Sequence, residues 1–106
     1  MHGLARNSRD FDFLARELAT DCRVVCPDVA GRGVSEGLAD TSDSSFSTNL
    51  ADAAALIARV TAPPGPASID WVGTSMGGLI GMLLAAKPQS PIRRLVLNDV
   101  GPFISW

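Results

Sequence analysis

The stretch that most constrains this chain is Trp71-Val72-Gly73-Thr74-Ser75-Met76-Gly77-Gly78-Leu79-Ile80, an apolar strand passing through a Gly-x-Ser-x-Gly turn into an apolar helix. In a turn this tight the residues two before and two after the serine must be small, and the serine hydroxyl is lifted clear of the sheet. Gly73 and Gly77 meet that demand. With a strand before it and a helix after it the pattern is a nucleophile elbow; otherwise Ser75 is only a serine at the start of a helix. The motif is short enough to arise by accident, so its context decides.

That context is an alternation of helices and strands. Ser8 reads as the N-cap of a helix running to about Ala19, with Phe11, Leu14, Ala15 and Leu18 at helical spacing and Asp10 and Asp12 near its positive end. Arg23-Val24-Val25-Cys26, stopped by Pro27, predicts a short buried strand. A glycine-rich loop through Gly31, Gly33 and Gly37 and a polar stretch to Ser47 follow. The next helix runs from about Ser47 to Val60 and places Leu50, Ala53, Ala54, Ile57 and Ala58 on one face. Pro63-Pro64-Gly65-Pro66 is a stiff connector to the strand Ile69 to Val72. The helix from Met76 to about Lys87 is apolar almost all round, which predicts burial, and Arg94 to Asn98 forms a third strand. Such alternation implies a parallel α/β sheet covered by helices. No internal repeat interrupts it.

Composition narrows the function classes. A chain of 106 residues, 46% hydrophobic and 19% charged, suits one small globular domain or a piece of a larger one. Net charge is -2 and the basic residues are scattered apart from Arg93-Arg94, so nucleic-acid binding is not expected. Cys22 and Cys26 flank the predicted strand, which would hold them ~13 Å apart, too far for a disulfide, and with one histidine they make no plausible metal set. Buried, inert thiols in a reducing cytosol are the expectation. There is no signal-peptide pattern or membrane-length apolar run, so the expected setting is soluble and cytoplasmic, without a membrane partner.

The candidate chemistry centres on Ser75. A serine hydroxyl alone is a poor nucleophile and needs a base within hydrogen-bond reach. The backbone amide of Met76, in the first turn of a helix, points toward charge developing beside Ser75, while its side chain reads as core filler. The Gly31/Gly33/Gly37 loop lacks the Gly-x-Gly-x-x-Gly spacing of a phosphate loop and reads as turns. Asp28 and Asp99 end strands, where turn and capping roles are the ordinary reading.

At this point the chain resembles the α/β-hydrolase-fold serine hydrolases. His2-Gly3, Pro27-Asp28 with Gly31-Arg32-Gly33 and Ser35, Gly73-Thr74-Ser75-Met76-Gly77-Gly78, and Leu95-Val96-Leu97-Asn98-Asp99 occur in the order and at the separations seen in that family. The resemblance implies that Ser75 is the nucleophile and that the oxyanion-hole amides are those of Leu4 and Met76. His2 matches the structural histidine of the oxyanion turn. Arg6-Asn7 resembles a stretch beside that turn in one subgroup of small-molecule hydrolases. The implied substrate is a small molecule with an ester-like or other carbonyl, and the implied mechanism uses no metal or organic cofactor.

Departures from the family carry as much information. The fold orders its catalytic residues Ser, then Asp or Glu, then His, and no histidine follows Ser75. Asp99 could be the acid only in a minority arrangement. Relative to the resembled fold, the first two strands, nearly all of the third and everything after the sixth are missing. The expectation is therefore a single partial α/β-hydrolase domain over 1–106, truncated at both ends, with a partial parallel sheet and flanking helices. Such a piece would be inactive alone and would self-associate through unpaired strand edges. Other chemistries on the same fold (lyase, thioesterase, carbon-carbon bond hydrolase, acyltransferase) and a non-catalytic α/β interaction domain are the alternatives.

Overall fold

The computed structural model describes residues 1–31, 33, 35 and 46–100. Its centre is a β-α-β unit. Strand β1 (Ile69–Thr74) passes through Ser75 into helix α3 (Met76–Ala85), which returns the chain to strand β2 (Ile92–Asn98), parallel to β1. Two further helices, α1 (Asp12–Leu18) and α2 (Phe46–Thr61), precede this unit. From Asp70 onward the strands pair in unbroken register, Trp71 with Leu95 and Thr74 with Asn98. This aligns their C-terminal ends, beside which Ser75 stands. In parallel α/β sheets functional groups gather outside these strand ends.

Glycine explains how closely α3 lies on the strands. A Cβ on Gly81 would sit 2.5 Å from the Trp71 ring and 2.9 Å from Leu95 Cδ1, and one on Gly78 would sit 2.5 Å from Val100 Cγ1. The Trp71 indole N–H donates to the Gly77 carbonyl at 2.9 Å, which satisfies a buried donor and fixes the register of helix on strand. On the far side of α3, Ile80 and Leu84 meet Ala53 and Ile57 of α2 in a core that also holds Val29, Trp71 and Met76. The buried stripe of α2 is Asn49, Ala53 and Ile57, with Leu50 and Ala54 half-buried beside it. The predicted apolar face is thus rotated slightly, and Ala58 is exposed.

The structure departs from the sequence reading in three places. Residues 23–26 form no strand. A parallel strand needs a ladder neighbour, and the position beside β1 is held by Met1 alone: its ammonium donates to the Val72 carbonyl, and its carbonyl accepts from the Thr74 N–H at 3.0 Å. With no ladder to join, Val25 is exposed, and Cys22 and Cys26 are exposed free thiols, not buried ones. Second, the N-cap is Asn7, whose side chain accepts from the Arg9 N–H at 2.9 Å; it opens a 3₁₀ turn (Ser8–Phe11) that leads into α1. Ser8 instead gives its own N–H to Asp28 Oδ1 at 2.7 Å. Third, α3 is not covered all round, for Leu83 is 47% exposed. Among the described residues, no helix is long and apolar enough to cross a membrane.

Candidate active site

Ser75 has φ 51° and ψ -112°, a left-handed backbone that a residue with a side chain adopts at a cost of roughly 1–3 kcal/mol. The surrounding bonds hold it there. Its N–H donates to the Asn98 carbonyl at 3.0 Å, and its carbonyl accepts from Gly78 and Leu79 at 2.9 and 3.0 Å, starting α3. The two small residues of the motif are required by space. A Cβ on Gly73 would lie 2.5 Å from the Gly78 nitrogen, and one on Gly77 would collide with the Met1 carbonyl. The consequence is an exposed Ser75 side chain above an otherwise buried run of residues, Gly73 below it and Met76 to Gly78 behind it.

The second part of the site is the turn after His2. The imidazole is fully buried and both ring nitrogens are engaged, Nδ1 with the Gly3 carbonyl at 2.8 Å and Nε2 with the Val29 N–H at 3.0 Å. Because Val29 can only donate, Nε2 is the acceptor and Nδ1 carries the hydrogen. His2 therefore ties the turn to the chain near Val29 and has no nitrogen left for Ser75. Gly3 is buried against Ser75: a Cβ placed on it would be 3.6 Å from Ser75 Cβ and 3.7 Å from the Thr74 carbonyl. The Gly3 carbonyl accepts from the Arg6 N–H at 3.2 Å and closes a turn with exposed Leu4 at its corner. The structure thus brings the Leu4 segment and Ser75 to one place. Met76, first residue of α3, has its N–H among the donors a helix cannot satisfy internally.

Asp99 follows directly on Asn98, whose carbonyl binds the Ser75 amide, so it stands on the same rim as the serine. It is exposed, and its φ of 57° is the turn conformation that aspartate tolerates better than most residues. No histidine lies between it and Ser75, because the sole imidazole is committed elsewhere. Asp28 has the turn role expected of it, although no strand precedes it. Besides holding Ser8 it packs its carboxylate on Gly33, whose φ of +52° and lack of Cβ make room for it, and its carbonyl accepts from Ser35 Oγ at 2.7 Å. Arg32 and Gly37, the other members of that loop, lie outside the described residues.

Two features escaped sequence reasoning. Asn49 occupies a buried position of α2 where the helical pattern calls for an apolar side chain, and its amide donates to Met76 Sδ at 3.6 Å. A buried amide facing a weak sulfur acceptor carries no signature in the helical period. Arg6 leaves the turn at Gly3 to form a two-bond pair with Asp10, Nε to Oδ2 at 2.9 Å and Nη2 to Oδ1 at 2.7 Å. The guanidinium beside it holds the Asp10 carboxyl below its usual range, the hydrogen bond being the larger cause. The i, i+4 spacing was visible, but the turn that makes it useful was not. Two cavities, of about 210 and 410 Å³, lie between Asp28, Asp52 and Leu56 and between the C-terminal ends of α2 and α3; neither is lined by Ser75, Leu4, Met76 or Asp99.

Comparison with known proteins identifies the family and fold. The family described as alpha/beta hydrolase fold matches residues 1–106. A 3-hydroxybutyrate-oligomer hydrolase of Cupriavidus necator is 56% identical over 101 residues, covering 95% of this chain and 33% of that protein. The crystal structure of an alpha/beta hydrolase from Novosphingobium aromaticivorans superposes with a TM-score of 0.85 at 45% identity, over 96% of this chain and 34% of the other. A second solved structure, from Rickettsia typhi, gives 0.81 at 38% identity, over 97% and 35%. The chain thus spans about a third of the length of the relatives it matches.

Proposed function

The chain belongs to the α/β-hydrolase-fold family, and from that premise we propose that it forms the nucleophile-bearing part of a serine hydrolase acting on small esters. In this reading Ser75 attacks the ester carbonyl, and the amides of Leu4 and Met76 bind the oxyanion of the tetrahedral intermediate. Such donors act on charge that develops only as the reaction proceeds, and removal of one typically costs about 10²–10³ in kcat. The base and acid would come from outside these 106 residues. The relative that acts on 3-hydroxybutyrate oligomers favours a short oligoester of a hydroxy acid as the substrate class. No metal or organic cofactor enters this mechanism.

One observation carries the proposal: Ser75 is exposed on a left-handed elbow whose flanking glycines cannot accept a Cβ, with Gly3 packed against its Cβ. A helix-starting serine with no further role has no need of such a backbone. The reading is tested in a chimera in which this chain replaces the matching third of the 3-hydroxybutyrate-oligomer hydrolase, so that the remaining two-thirds supply acid and base. The chimera is expected to cleave a short-chain nitrophenyl ester, and its Ser75→Ala form to lose that turnover by at least about 10³-fold. Equal turnover in the two forms would refute the assignment. The 106-residue chain alone is expected to show no turnover above its own Ser75→Ala control.

A further inference from the structure

We propose that Arg6 is a carboxylate anchor beside the nucleophile, making the site selective for esters whose alcohol portion ends in a free carboxylate; the inference rests on the Ser75 reading above. Gly3 is the hinge of the argument. The position of a Cβ on Gly3 touches Ser75 Cβ at 3.6 Å and Arg6 Cγ at 3.8 Å. Arg6 and Ser75 therefore flank the same glycine, and its closing hydrogen bond, Arg6 N–H to the Gly3 carbonyl, fixes where the arginine stem begins.

The guanidinium is held, not used up. Asp10 occupies Nε and one hydrogen of Nη2, while the group has five N–H donors in a rigid plane. The remaining donors sit on a side chain that is 67% exposed. An arginine already fixed by one carboxylate loses less freedom on meeting a second, which lowers the cost of binding. The pair with Asp10 is electrically neutral, and the neighbouring Arg9 is likewise paired with Asp12 at 3.4 Å. Recognition therefore comes from directed hydrogen bonds on the free edge of the fork, not from a general positive field.

The geometry suits a particular substrate shape. In the linear 3-hydroxybutyrate dimer, four bonds separate the scissile carbonyl carbon from the terminal carboxylate carbon, a span of roughly 5 Å when extended. Ser75 Cβ and Arg6 Cγ lie 3.6 and 3.8 Å from one point over Gly3, so a span of this length can link a carbonyl at Ser75 to a carboxylate at Arg6. An internal ester of a long polymer has no such terminus, and a carboxylate-methylated dimer has none either.

The test uses the chimera described above in its Ser75→Ala form, labelled with ¹⁵N and titrated with the linear 3-hydroxybutyrate dimer and, separately, with its methyl ester. The free acid is expected to shift the Arg6 Nε–H and the Leu4 and Met76 amide signals saturably. Methylation of the carboxylate, or Arg6→Gln, is expected to weaken that binding by about tenfold or more, whereas Arg9→Gln leaves it unchanged. Both arginines are exposed, and the same spectra report whether each variant is folded. Equal binding of acid and methyl ester, unchanged binding in Arg6→Gln, an equal loss in Arg9→Gln, or no saturable shift with the acid would each overturn the anchor. Failure here is separable from failure of the nucleophile: binding does not need the Ser75 hydroxyl and persists in Ser75→Ala, whereas turnover of a neutral nitrophenyl ester by the chimera does not need Arg6.

Discussion

The β1–α3–β2 unit and the N-terminal helix α1 are built from similar proportions of apolar residues, yet one is packed and the other is not. In α3, Ile80 is completely buried and Gly78 and Gly81 seat the helix on its strands; in α1 no residue is buried and Phe13 is 81% exposed, with the Arg16 guanidinium 5.8 Å from its ring centre. The difference lies in partners. Each element of the β-α-β unit has its neighbours close in sequence, while α1 and residues 23–26 lack a sheet to lie on among the described residues. The elbow inherits its rigidity from the packed half, and the turn after His2 is held from both sides, by Gly3 against Ser75 and by His2 against Val29.

The comparison can be broken most forcefully at the elbow glycines. Gly73→Ala or Gly77→Ala introduces a Cβ into backbone atoms that cannot move without dismantling the turn, and each is expected to destabilise the chain by about 3 kcal/mol or more in a denaturant melt. Ile80→Ala should cost about 2–5 kcal/mol. Phe13→Ala, although it deletes a larger side chain, should change stability by less than about 0.5 kcal/mol. Comparable losses at Ile80 and Phe13 would erase the distinction.

A smaller effect concerns pH. Burial lowers the Met1 ammonium from its ordinary 8.0 to about 6, against a weaker opposing influence of Cys26. The unfolded chain therefore binds a proton that the folded chain refuses between pH 8 and pH 6. Stability from this group is fully present above pH 8 and is lost as pH falls through 6, by at most about 3 kcal/mol. Chemical denaturation across that window should show the slope in a chain with a free amino terminus and a flatter profile after N-acetylation. The smallest effect is expected at the loose helix: Asn7→Ala, which removes the cap, should cost about 1 kcal/mol of local helix stability by hydrogen exchange, and Ser8→Ala about half of that or less.

These contrasts also mark what could be read in the sequence. Gly73, Ser75 and Gly77 announced the elbow because a strand-turn-helix of this tightness admits few residues, and the parallel pairing of β1 with β2 followed from a helix connecting them. The strand at 23–26 failed because an apolar run reports only a preference, and a strand exists only where a ladder partner stands beside it. Cys22 and Cys26 were misplaced for the same reason. The cap moved from Ser8 to Asn7 because the chain enters the helix through a 3₁₀ turn that already begins at Ser8, and Asn7 Oδ1 accepts the Arg9 N–H. Asn49 stayed hidden because its role depends on the sulfur of Met76 across two helices. At the candidate site, the motif pointed to Ser75 and the Met76 amide and the family resemblance to Leu4, while the Arg6–Asp10 pair needed the turn at Gly3 to acquire a position.

The central claim is that Ser75 is a nucleophile supported by the backbone around it. Its most direct test is reaction of the chimera with a fluorophosphonate probe, followed by mass-spectrometric mapping of the modified peptide. Stoichiometric modification of Ser75, absent in Ser75→Ala, is the predicted result. A folded chimera in which Ser75 remains unmodified, or in which another residue carries the label, would contradict it.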